Sequence, residues 1–214
     1  MKIKLQIFIA VLGMGMVISC SGKKTVEKNN HTTPKDSIIV KENPRSASDF
    51  EKFLKYFMTT AVYGKNFDSL LANSDSIVTQ FMHKEIGFGR YWNQGAFCNL
   101  YTDKTEQYGY VENAFRDKLT QTGLPLFAKA PVEGFCEESK SADGIYYVPV
   151  KEFPDTWDME EDKAVKVKLP EQYASSNKMK VMILSEKWIV NQFYFVQVDN
   201  IWYLTYTNDC DCSV

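Results

Sequence analysis

Residues 188–207 read WIVNQFYFVQVDNIWYLTYT, two runs of aromatic and β-branched side chains separated by Asp199-Asn200. Such runs predict β-strands at Trp188 to Val198 and at Ile201 to Thr207. The Asp-Asn pair between them is typical of a tight hairpin turn. Because Phe193 to Val198 carries apolar side chains on both faces of the strand, we expect other parts of the chain to cover both faces.

The segment that precedes these strands has a helical pattern. Its apolar residues recur with the spacing of one buried helix face, and they are Phe50, Phe53, Leu54, Phe57, Met58, Ala61 and Val62. Ser48 and Glu51 form a capping-box pattern at its start, and Gly64 suits its end. A second, shorter helical region runs from Phe67 to Met82, with Ser74 as the expected N-cap of its second part.

Further strands are predicted between the helices and the closing hairpin. The segments with a strand pattern are Phe88 to Trp92, Ala96 to Tyr101, Ile145 to Val150, Ala164 to Leu169 and Lys180 to Leu184. Tyr108 to Leu119 is ambiguous, with a helical option. Helices followed by antiparallel strands indicate an α+β domain, with the N-terminal helices packed on a curved antiparallel sheet.

The closing hairpin resembles the end of the cone-shaped nuclear-transport-factor-2-like fold. The matching residues are Asp199-Asn200-Ile201-Trp202-Tyr203-Leu204. In that family a long strand, a short turn and a strand that begins with Trp form the back of the cone. The resemblance covers about a third of the domain, and the stretch from Thr102 to Lys163 is longer than such a cone normally has.

The N-terminus has the three parts of a secretory signal. Lys2 and Lys4 precede an uncharged, mostly apolar run from Leu5 to Val17, which is too short to span a bilayer. Val17-Ile18-Ser19-Cys20 follows and resembles the lipobox of bacterial lipoproteins. That family implies cleavage before Cys20, a thioether-linked diacylglycerol on this cysteine and usually an acylated amine. Several acyl chains make a stable membrane anchor.

The N-terminus predicts the cellular location of the protein and its domain organisation. We expect a signal peptide at 1–19, a lipidated and flexible tether at 20–45, and one domain at 46–214. In the lipoproteins that this N-terminus resembles, aspartate after the cysteine retains the protein in the inner membrane and acidic residues there direct some proteins to the cell surface. Ser21 and Gly22-Lys23-Lys24 therefore imply the outer membrane and its periplasmic face. The alternative is an ordinary signal peptide that leaves Cys20 as a plain thiol.

The charge of the domain argues against one class of partner. Residues 46–214 carry 17 Lys and Arg against 24 Asp and Glu. Phosphate-backbone binding needs a basic patch, so a nucleic-acid partner is disfavoured. The expected partners are the membrane, through Cys20, and an envelope protein or a small-molecule ligand.

Four cysteines lie in the domain, at positions 98, 136, 210 and 212. An exported domain with an even number of cysteines suggests disulfides. In an extended tail, Cys210 and Cys212 would face the same side. We therefore favour bonds from each to a different element, one at Cys98 and the other at Cys136. A direct Cys210–Cys212 redox bond and a four-cysteine zinc site remain alternatives with less suitable spacing.

The sequence shows no catalytic cluster and implies no metal or cofactor. An imidazole-based site would have to use His83, which closes the second helical region. The acidic run from Asp155 to Asp162 lacks the EF-hand pattern and is expected to be a solvated loop. Trp92, Trp188 and Trp202 could line a ligand pocket with Arg90 as an anion contact, although core packing and a salt bridge explain these residues as well.

Two hypotheses about function follow. The first is a membrane-anchored, non-enzymatic domain that binds a ligand or protein partner or supports the envelope. The second is a small hydrolase or isomerase acting in a cone pocket with a buried carboxylate base. A deep pocket around a carboxylate of raised pKa would favour the enzyme, and a shallow groove or an exposed apolar patch would favour binding.

Overall fold

The computed structural model describes residues 50–93, 97–102, 119–210 and 212. These residues form an α+β fold with a large, mostly antiparallel sheet and a few short helices, as the sequence predicts. Ser48 of the predicted capping box and most of the ambiguous stretch 108–119 lie outside the described residues. No helix within the described ranges has the length and apolar character needed to cross a membrane.

The helices are short and come first in the described chain. Helix α1 spans Phe50–Phe57 and continues as a π-helical turn over Met58–Val62. Helices α2 and α3 span Phe67–Ala72 and Ser76–Thr79. The N-cap of α3 is Asp75, whose Oδ1 accepts a hydrogen bond from the Ile77 amide at 2.8 Å. The expectation of Ser74 was wrong by one residue, because Ser74 occupies the turn before the cap with φ of 53°.

Nine strands follow in the described residues. They are β1 Gly89–Asn93, β2 Cys98–Tyr101, β3 Leu126–Phe127, β4 Gly144–Val150, β5 Thr156–Asp158, β6 Lys163–Val165, β7 Lys178–Ser185, β8 Trp188–Val198 and β9 Ile201–Asn208. A 3₁₀ turn over Glu171–Tyr173 precedes β7.

Seven of these strands form one sheet in the order β2-β1-β9-β8-β7-β4-β3, and β5 pairs with β6 separately. The pairs β1–β9 and β3–β4 are parallel, and the other neighbours are antiparallel. The predicted turn joins β8 to β9, with positive φ at Asp199 and Asn200, as a two-residue hairpin requires. The predicted strand Ala164 to Leu169 ends early, at Val165.

Both faces of β8 are covered, as the strand pattern predicts. On one face, Phe193 and Phe195 pack edge-to-face against Phe57 of α1, with ring centroids 5.3 and 5.1 Å away. On the other face, Tyr194 and Val196 join a second apolar cluster with Phe153 and Leu169. The helices therefore cover one face of the sheet, and part of the segment between β4 and β7 covers the other.

Candidate functional site

The first residue to place is Arg90, the predicted anion contact. Its side chain is buried, with Nε 2.5 Å from Asp209 Oδ2 and Nη1 3.8 Å from Asp68 Oδ1. Two carboxylates of the same chain therefore lie beside this guanidinium. Arg90 is in the salt-bridge arrangement that the sequence predicts as the alternative to an anion contact. Asp68 and Asp209 lie against Arg90 and contribute to the wall of neither cavity described below.

The three tryptophans lie in different parts of the fold. Trp92 packs against Tyr101 at the β2 end of the sheet, with ring centroids 5.1 Å apart. Trp188 is 42% exposed at the start of β8. Trp202 is buried against Phe50 and pairs with Gln197 at the far end of β8. Because Trp188 is at the start of β8, about 30 Å of strand separates the two tryptophans. The structure does not bring these residues into one pocket.

Other sequence candidates have local partners. His83 contacts the rings of Tyr173 and Tyr203 edge-to-face, at centroid distances of 5.1 and 4.9 Å. In the acidic run, Asp155 pairs with Lys166, and Glu161 pairs with Lys163. No group of three or more His, Cys, Asp or Glu side chains within the described ranges is arranged to hold a metal ion.

The four cysteines form two disulfides, Cys98–Cys210 and Cys136–Cys212. Their Cα atoms are 5.7 and 5.5 Å apart, respectively. Each cysteine of the C-terminal pair thus reaches a different element, which is the arrangement that the sequence favours. The first bond joins the tail to β2, and the second joins it to the loop before β4. The C-terminal tail is therefore tied to the body at two places.

The described residues form a groove that consists of two adjoining cavities. One cavity has a volume of about 560 Å³ and lies where β4, β7 and β8 meet the loop 174–177. The other, of about 470 Å³, lies beside it against the segments 151–153 and 166–171. Lys151, Ala174 and Lys178 line both cavities. We call the two cavities together the Lys178 groove.

Lys178 is one of the residues that line both cavities of this groove. Its Nζ donates hydrogen bonds to the carbonyl oxygens of Ala174 and Ser176, both at 3.0 Å. The same ammonium lies 5.9 Å from the ring centroid of Phe153. Partial burial lowers the pKa of Lys178 by desolvation of its charged form. Two carbonyls and a ring hold this ammonium in place, and an ammonium has three N–H groups to donate.

A second half-buried lysine lies two residues along the same strand. Lys180 Nζ is 5.7 Å from the ring centroid of Tyr194. Desolvation lowers the pKa of Lys180 as well. Residues two apart in a strand project from the same face, so Lys178 and Lys180 each place an ammonium group over an aromatic ring on this face, Phe153 and Tyr194 respectively.

The groove is more basic than the domain around it. Its charged lining residues are Lys151, Lys166, Lys168, Lys178, Glu152 and Glu171. Lys166 pairs with Glu152 at 2.9 Å, so the other three lysines face one lining carboxylate, Glu171. Residues 46–214 as a whole carry seven more acidic than basic side chains, from 17 Lys and Arg against 24 Asp and Glu. The groove therefore concentrates positive charge on an acidic domain.

Of the four ligand-pocket candidates from the sequence, Trp202 is the one that lines this groove. The sequence reasoning missed Lys178 and Lys180. The available signal was the Lys-Met-Lys start of an otherwise apolar strand, which continues as Val-Met-Ile-Leu. Lysines on the inward face of such a strand are unusual, because buried ammonium groups lose hydration.

Comparison of this chain with family models, curated proteins and solved structures found no match.

Proposed function

We propose that this chain is a lipid-anchored protein of the bacterial envelope whose domain binds a small anionic ligand in the Lys178 groove, without catalysing a reaction. The observation that carries the binding role is the half-buried Lys178 ammonium at the point shared by both cavities. A fixed cation in a concave, partly apolar site is a feature of ligand pockets.

The envelope address rests on the N-terminal sequence and agrees with the cysteine chemistry. Val17-Ile18-Ser19-Cys20 has the lipobox pattern, and an oxidising compartment would permit the two disulfides. We propose the periplasmic face of the outer membrane, with residues 20–45 as the tether between the lipid and the domain.

We also propose that the sheet belongs to the cone type of the nuclear-transport-factor-2-like fold. The β8–β9 hairpin and the short helices on one face of the sheet support this assignment. On the helix side, where a cone would open, the described residues include Phe53, Phe57, Phe193 and Phe195, all fully buried. The groove lies instead at one end of strands β4, β7, β8 and β9 and under the other face of the sheet.

The anchor is tested by intact-mass analysis of the protein from its native host. The expected species starts at Cys20 and carries the added mass of a diacylglycerol and an acyl chain. A species that keeps Met1, or one whose Cys20 is unmodified, would contradict the lipoprotein assignment.

The binding role is tested with pyrophosphate as a compact anionic probe. We expect saturable binding by calorimetry to the full chain carrying Cys20→Ser, which removes the acylation site. Lys178→Met should weaken this binding about tenfold, because a hydrogen bond to a charged group contributes about 1.5 kcal/mol at the lower end of its usual range. Lys129→Met is the matched control, since Lys129 also lies over a phenylalanine ring, 5.8 Å from Phe127, but outside the groove. Equal affinities of the two variants would contradict the proposed site.

A further inference from the structure

The two halves of the Lys178 groove differ in chemistry. Beyond the shared residues, the larger half is lined by four polar residues, Ser175, Ser176, Asn177 and Gln197, and by the apolar residues Pro149, Val150, Met179 and Trp202. Asn177 and Gln197 are held in place by a hydrogen bond between their side-chain amides at 2.7 Å. This half can therefore accept and donate hydrogen bonds to a polar group.

The smaller half is lined mainly by carbon. Phe153, Val167 and Leu169 form its apolar wall. The aliphatic parts of Lys166 and Lys168 border it, and long lysine stems commonly cover apolar surface while their ammonium groups reach water. An apolar group that entered this half would remove carbon surface from water, which is favourable in proportion to the area buried.

Lys178 lies at the junction of the two halves, since it lines both cavities. A ligand that filled both cavities would thus contact the polar side chains of the larger half, the Lys178 ammonium and the apolar wall of the smaller half. We infer that the ligand of this groove is a single-chain anionic amphiphile, with its phosphate or carboxylate at Lys178 and its alkyl chain in the half lined by Phe153, Val167 and Leu169. This inference rests on the proposed anion-binding function and names the ligand class.

Other ligand classes fit the groove less well. A compact inorganic anion would satisfy Lys178 and leave the apolar half without a partner. A cationic amphiphile would face Lys151, Lys168 and Lys178 with like charge. Lysine is a point charge rather than a planar fork, so it suits a carboxylate and a phosphate equally. A ligand therefore needs both a negative charge and an alkyl tail to bind both halves of the groove.

The test compares three probes on the full Cys20→Ser chain, by calorimetry below the micelle concentration of each amphiphile. The probes are dodecyl phosphate, dodecyltrimethylammonium and pyrophosphate. We expect dodecyl phosphate to bind at least tenfold more tightly than the other two. Lys178→Met should weaken dodecyl phosphate binding about tenfold, and Lys129→Met should leave it unchanged.

The tail site has its own pair of variants. Val167→Asn places an amide in the apolar half of the groove. It should weaken the binding of dodecyl phosphate about tenfold, while the affinity for pyrophosphate stays within twofold of that of the unsubstituted domain. Val165→Asn is the control, because Val165 is also a half-buried β-branched residue but does not line the groove. Thermal unfolding of each variant verifies that a loss of binding is not a loss of fold.

The outcomes separate this inference from the function on which it rests. If pyrophosphate binds in a Lys178-dependent way and dodecyl phosphate binds no more tightly, the amphiphile inference is wrong and the anion-binding proposal stands. If the cationic probe binds as well as dodecyl phosphate, the groove recognises only the alkyl chain and the inference is also wrong. If none of the probes binds, both proposals are wrong.

Discussion

Arg90 and Asp209 form a buried ion pair, with Arg90 Nε 2.5 Å from Asp209 Oδ2. Asp209 directly precedes Cys210, which forms a disulfide with Cys98. The Asp209 amide also donates to the Tyr91 carbonyl at 2.8 Å, so side chain and backbone both attach the tail to β1. Asp68 of α2 also lies near the guanidinium, with Oδ1 3.8 Å from Nη1. The cation thus links the helix layer, the sheet and the C-terminal tail.

Replacement of Arg90 should be strongly destabilising. Arg90→Met would leave the carboxylates of Asp68 and Asp209 buried without their cation, and the loss of one partner from such a site costs about 3 to 5 kcal/mol. We expect this loss in the free energy of unfolding, measured by urea denaturation. Lys187→Met removes an exposed pair with Glu138 and should cost less than about 1 kcal/mol. If Arg90→Met lowered the free energy of unfolding as little as Lys187→Met does, Arg90 would not hold these elements together.

The two disulfides should differ in their ease of reduction. Thiol–disulfide exchange requires access of the attacking thiolate to a sulfur. Cys136 and Cys212 are exposed, whereas Cys210 is 8% exposed and Cys98 is half-buried. We therefore expect stepwise dithiothreitol to open Cys136–Cys212 first, as followed by alkylation and mass spectrometry of the native protein. Labelling of Cys98 and Cys210 before the other pair would contradict this order.

The aromatic core beneath the helices should tolerate truncation poorly. Phe195 is fully buried and has ring contacts within 6.4 Å with Phe50, Phe53, Phe57 and Phe193. Phe195→Ala should lower the free energy of unfolding by about 3 to 5 kcal/mol, since it leaves a cavity in a packed core. Phe135→Ala, at a 43% exposed ring, should cost about 1 kcal/mol or less in the same denaturation experiment. If both variants lowered the free energy of unfolding equally, the cluster of buried rings would not be what stabilises the core.

The closing hairpin could be predicted from the sequence because its signals are local. Runs of aromatic and β-branched residues flank Asp199-Asn200 on both sides, and the turn residues tolerate positive φ. The position of β1 beside β9 could not be predicted, because this parallel pairing joins segments more than 100 residues apart. No local pattern in either strand specifies that partner.

The strand predicted at Ala164 to Leu169 shows how tertiary contacts override a pattern. Alternation of valine and lysine predicts a half-exposed strand, but pairing stops at Val165. Val167 and Leu169 instead pack into the second apolar cluster with Phe153. Lys178 was missed for a related reason, since the ring of Phe153, 25 residues earlier, is brought to it only by the folded segment between β4 and β7.

The tyrosines of the second cluster should make the protein sensitive to alkaline pH. Burial raises the pKa of Tyr194 and of Tyr206 to about 12, and it raises the pKa of Tyr91 as well. An unfolded tyrosine has a pKa of about 10. The folded state therefore holds these phenol protons more tightly, and the stability linked to them is fully present below about pH 10. It is lost as the pH rises from about 10 towards 12, because the unfolded chain ionises first.

We expect the free energy of unfolding to fall between pH 10 and 11 by about 1 kcal/mol for each of Tyr194 and Tyr206. Urea denaturation at pH 9, 10 and 11 measures this fall, and absorbance at 295 nm follows phenolate formation in the folded protein. Tyr206→Phe removes one of the groups, so the fall should be about 1 kcal/mol smaller. Ionisable side chains elsewhere are common to both proteins and cancel in the comparison. An identical pH dependence in the variant, or phenolate absorbance from every tyrosine near pH 10, would show that the cluster does not exclude water from these hydroxyls.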